Sequence, residues 1–91
     1  MNERLTKAKE AYESGDLDEV FSLLDNRNVE EGNVEVDMLL GLTYYKMQQW
    51  GDALNHFRAV ISIEPENKNA KGYIDMIQNI LKFYHKDMYN P

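Results

Sequence analysis

Two histidines and sixteen acidic side chains are the groups from which a catalytic or metal site in this 91-residue chain would have to be built. Asp52 and His56 stand four residues apart, a spacing that puts both on one face of a helix within reach of a metal ion. Two ligands without a third do not make a site, so the spacing predicts a surface ion pair instead. His85, near the end of the last expected helix, suits a favourable charge at a helix C-terminus. The carboxylate pairs Asp16/Asp18 and Glu30/Glu31 fall in turn-forming stretches exposed to water, where they are expected to solvate the chain. Cysteine is absent, which excludes disulfides, thiolate zinc sites and cysteine nucleophiles. No glycine-rich phosphate loop, nucleophile elbow or His-Glu-x-x-His occurs. The expectation is a chain that is not an enzyme, with no cofactor and no metal.

The elements that would carry these residues must come from an ordinary globular composition, 43% apolar and 29% charged, long enough for one small domain. The net charge of -6 would repel a phosphate backbone, so no nucleic acid is expected as partner. Residues 1–33 carry nine acids and four bases, residues 34–67 five and two, residues 68–91 two and four. An acidic front and a slightly basic rear favour head-to-tail association, or are simply solvated helix faces. No apolar run approaches the ~20 residues needed to span a bilayer, and the opening residues lack the apolar core of a secretory signal. The expectation is a cytoplasmic chain with no membrane partner.

Prolines stand only at Pro65 and Pro91, and no stretch alternates β-branched with polar residues, so helix is the default. A first helix over residues 2–14 stops at Gly15, the residue best suited to a left-handed close. Asp16 restarts a second, with Glu19 three residues on completing a reciprocal capping box. That helix fails in the polar loop of residues 26–33. Asn33 caps a third over residues 34–47, and a fourth runs over residues 50–63 before Pro65. A fifth, over residues 67–86, carries Ala70, Tyr73, Ile74, Ile77, Ile80, Leu81 and Tyr84 as one apolar stripe. Residues 87–91 are expected to fray.

A shift of 33 residues places the first two helices on the next two: Ala8 on Gly41, Ala11 on Tyr44, Tyr12 on Tyr45, Leu17 on Trp50, Val20 on Ala53, Phe21 on Leu54 and Leu24 on Phe57. Small residues meet small or apolar ones and large meet large, as expected of helix pairs that must stack to bury their apolar faces. Residues 34–67 resemble the tetratricopeptide repeat family: Leu40-Gly41, Tyr44, Tyr45, Trp50, Ala53, Leu54, Phe57, Ile61 and Pro65 fall in register with its pattern. Asp37, where that family often has Trp, and Val60, where it usually has Ala, depart from it. Residues 1–33 are a weaker copy, and the last helix is similar to the capping helix that ends such arrays. The resemblance implies an all-α fold of five helices in a right-handed superhelix, two repeats plus a cap at residues 68–86, in one domain. Ala8, Leu40, Gly41, Tyr44, Trp50, Ala53, Phe57 and Pro65 would be its structural positions.

The resemblance also implies a concave groove, lined by the first helix of each repeat, that receives a peptide or protein segment. That surface would combine Leu5, Lys9, Tyr12 and Glu13 with Glu35, Met38, Leu42, Tyr45 and Lys46, and Met76 would help close its far end. Met38, Leu42, Tyr45 and Tyr12 would be the anchors, since Met and Tyr supply large contact area. The same residues would equally serve as padding between neighbouring repeats. The positions of the family's carboxylate clamp carry Leu5, Lys9, Leu39, Asn69 and Tyr73, so the clamp is absent and an acidic chaperone tail is not the expected ligand. The alternative is self-assembly into a homo-oligomer through the same apolar surface.

Overall fold

The computed structural model describes the backbone of residues 2–24 and 33–89 and the side chains of residues 3–24 and 33–83. Among these there are five helices and no strand: α1 (Asn2–Ser14), α2 (Leu17–Leu23), α3 (Val34–Lys46), α4 (Trp50–Ile63) and α5 (Lys68–Tyr89). The chain is an all-α helical repeat. The expected loop over residues 26–32, the Glu30/Glu31 pair and the side chain of His85 lie outside the described residues. The last helix continues to Tyr89, past the stop expected near Lys86, so it includes residues 87–89, which were expected in the tail.

Each hairpin turns through one left-handed residue. Gly15 has φ 88° and closes α1 by donating its N–H to the Tyr12 carbonyl at 3.1 Å, while Asp16 donates to Ala11 at 2.9 Å. In the second hairpin Gln48, φ 61°, donates to Tyr45 and Gln49 donates to Tyr44, both at 3.0 Å. Donors and acceptors alike obey the shift that aligns the side chains, so the repeat extends into the backbone. Asp16 Oδ1 then caps α2 by accepting from the Glu19 N–H at 3.2 Å. The reciprocal half of the expected capping box is replaced: the Asp16 N–H already closes α1. Asn33 caps α3 through the Val36 N–H at 3.1 Å, and Asn67 accepts from the Ala70 N–H at 2.9 Å. α5 therefore starts as α3 does, in the manner of a further repeat.

Two apolar clusters fill the interior and meet in α3. Leu5, Ala8 and Ala11 of α1 pack with Val20 and Leu24 and with Val36, Leu39 and Leu40 of α3. Ala53, Leu54, Phe57 and Val60 of α4 pack with Ala70 and Ile77 of α5, joined by Met38, Leu42, Tyr44 and Tyr45. The helix between the clusters has to be apolar on nearly every side, which explains its run of Met38, Leu39, Leu40 and Leu42. At Gly41 the second hairpin is closest: a Cβ there would meet the Phe57 ring at 2.8 to 3.0 Å, so only hydrogen fits.

Aromatic rings stitch the helices laterally. Phe21 of α2 lies 4.7 Å from Tyr44, whose ring stacks on His56 at 5.5 Å. Tyr45 stands edge-on to both Trp50 and Tyr73, at 5.3 and 5.1 Å, and Tyr73 stacks on Phe57 at 5.0 Å. Such pairs add about 0.5–1.5 kcal/mol each beyond their buried area.

Candidate functional site

An open cleft of about 540 Å³ runs between α1, α3 and the turn that joins α4 to α5. The hairpin geometry makes it: α1 and α3 lie side by side with their outward faces turned the same way. Met38, Leu39 and Leu42, at three- and four-residue spacing on α3, form its apolar strip together with Val34. Tyr12 and Lys9 border it from α1, and Glu13, Glu35 and Glu64 supply carboxylates. Asn67 and Asn69 border it from the start of α5.

Two contacts brace it. The Lys9 ammonium lies 3.1 Å from Glu35 Oε2, tying α1 to α3 across residues 26 apart in sequence. The Lys46 ammonium sits 4.4 Å above the centre of the Tyr12 ring. Burial pushes the Tyr12 phenol above its ordinary pKa, and neighbouring Tyr73 pushes it further the same way.

Of the residues expected to form a groove, Lys9, Tyr12, Glu13, Glu35, Met38 and Leu42 border this cleft together. Leu5 does not: it is 6% exposed and belongs to the first cluster, because it shares the stripe of Ala8 and Ala11. Tyr45 is held between Trp50 and Tyr73 and serves packing among α3, α4 and α5. Met76 is 48% exposed on α5 and does not border the cleft. Val34, Glu64 and Asn67 were not expected there. Glu64 and Asn67 enter because the turn after α4 swings back beside α3, a proximity that no local pattern encodes.

The expected Asp52/His56 pair is replaced by a longer-range one. His56 Nδ1 lies 2.9 Å from Asp37 Oδ1, joining α4 to α3, and both side chains are more than half buried, at 27% and 17% exposure. Asp52 instead raises the pKa of Tyr44, after the larger effect of burial in the same direction. Asp37 thus stands where the family pattern favours Trp, and His56 answers it from the facing helix. Among the described residues no three His, Cys, Asp or Glu side chains group as metal ligands, and no helix is long and apolar enough to cross a membrane.

Residues 38–67, from the middle of α3 to the start of α5, match the family described as Tetratricopeptide repeat. This segment is a tetratricopeptide repeat. Gly41 against Phe57, Ala53 at the hairpin interface and Pro65 after α4 are the repeat's small, large and closing residues. A repeat of this kind points to a protein–protein interaction module and is typically non-catalytic. Comparisons with curated proteins and with solved structures found no match.

Proposed function

We propose that the protein is a non-catalytic adaptor that binds a segment of another protein in the cleft between α1 and α3. The observation that carries this reading is the strip of Met38 and Leu42, partly exposed beside Tyr12 along the repeat's first helix. Both side chains also pack on the second cluster, yet each keeps part of its surface on the cleft. Adaptable Met, flat Tyr and branched Leu make a surface that fits an extended or helical peptide.

The test is selection of peptides from a displayed random library on the purified protein, followed by measurement on three variants. Leu42→Glu and Met38→Glu should weaken the selected peptides by about tenfold or more, as loss of an anchor does. Met76→Glu, on a surface away from the cleft, should leave them unchanged. Equal loss in all three variants, or none in the first two, would show that the peptides bind elsewhere.

A further inference from the structure

The cleft is more specific than its apolar strip requires. Three carboxylates, Glu13, Glu35 and Glu64, border it, from α1, α3 and the α4–α5 turn. Its own lysine, Lys9, is held by Glu35 at 3.1 Å, and Lys46 nearby is held over the Tyr12 ring at 4.4 Å. Among the described residues neither Glu13 nor Glu64 pairs with a cation; Glu64 Oε1 accepts only the Asn67 amide, at 3.0 Å. The net charge of -6 adds a field of the same sign.

We infer that the cleft selects a cationic amphipathic segment of a partner protein. The apolar side of the segment lies on Met38, Leu42 and Tyr12, and its Lys or Arg side chains reach Glu13 and Glu64 at opposite edges. This deepens the adaptor reading and rests on it. The charge pattern works as discrimination: an acidic segment of identical apolar content would bring its carboxylates against those of the cleft and leave them unpaired. Complementary charge would also speed encounter, an effect that salt removes.

Two short peptides with identical apolar positions decide the matter, one bearing Lys and the other Glu at every polar position. Each is titrated into the full chain while amide chemical shifts and affinity are followed. The Lys peptide should shift resonances of Tyr12, Met38 and Leu42 and bind about tenfold more tightly than the Glu peptide, the size expected of two exposed ion pairs. That preference should shrink on going from about 0.15 M to about 1 M salt, as the screening length falls from ~8 to ~3 Å. The double variant Glu13→Gln, Glu64→Gln changes only exposed side chains, so it should fold normally and lose most of the preference. Equal or tighter binding of the Glu peptide at the same resonances would overturn the charge inference and leave the cleft as a binding site. Shifts confined to other faces, or no binding by either peptide, would overturn both readings. Self-association that occupies the cleft and excludes the Lys peptide would replace the partner by a second copy and overturn the inference too.

Discussion

A methyl group on Gly41 would stand 2.8 Å from Cε1 of Phe57, a ring that is fully buried and already stacked on Tyr73. A contact that short forces the buried ring to shift, so Gly41→Ala should cost about 1–3 kcal/mol by overpacking, read as a lower denaturation midpoint. Gly72 gives the opposite sign. Its Cβ would meet nothing within 4 Å inside α5, so Gly72→Ala should stabilise by about 0.5–1 kcal/mol in the same measurement. The tyrosines make a second prediction at this scale. Tyr12 and Tyr44 hold their protons more tightly in the folded chain than in the unfolded one, chiefly through burial. Stability is therefore whole below the ordinary phenol pKa of about 10 and is lost as pH rises through the higher folded values. Alkaline denaturation followed by circular dichroism should show a weaker fall above about pH 10 for Tyr12→Phe, Tyr44→Phe than for the natural chain. The interaction of His56 with Asp37 rather than Asp52 belongs here as well. Four-residue spacing made Asp52 the nearer partner along one helix, but the side chain turned toward the facing helix, a choice set by packing.

At the scale of elements, the two hairpin turns share their hydrogen bonds but not their residues. Gly15 takes its left-handed φ without a side-chain penalty, and Asp16 caps the helix that follows. Gln48 occupies the same conformation with a Cβ, and Gln49 makes no side-chain cap to α4. Copying the first turn into the second tests whether the hairpins are equivalent. Gln48→Gly should relieve the left-handed strain, and Gln49→Asp should add a cap of about 0.5–2 kcal/mol. The double variant should melt higher than either single one, while Gly15→Ala should melt lower than the natural chain. The positions of these turns were legible in sequence, since Gly15-Asp16 and the 33-residue shift both mark them. The length of α5 was not, because the polar residues at its end suit a frayed tail as well as a solvated helix.

For the whole molecule, α5 supplies one wall of the second cluster through Ala70 and Ile77, both fully buried, with Tyr73, Ile74 and Leu81 beside them. Ile77→Ala should cost about 2–5 kcal/mol, a cavity effect measurable by denaturant titration. Removing residues 68–91 uncovers Ala53, Phe57 and Val60 together, and light scattering should then show aggregation in place of a cooperative monomer. A soluble, cooperatively folding truncation would mean that the two hairpins need no cap. The division between chain and fold follows from range. Spacing, turn residues and the self-matching shift act over one or two helical turns or compare like with like, so they alone determined five helices and two hairpins. Which exposed faces come together depends on contacts between residues far apart in sequence: Lys9 with Glu35, Asp37 with His56, and Glu64 brought beside α3. Only the tertiary structure turned Leu5 inward, assigned Tyr45 to packing and gathered three carboxylates around one apolar strip, because burial is settled by the competition of all faces for the same interior.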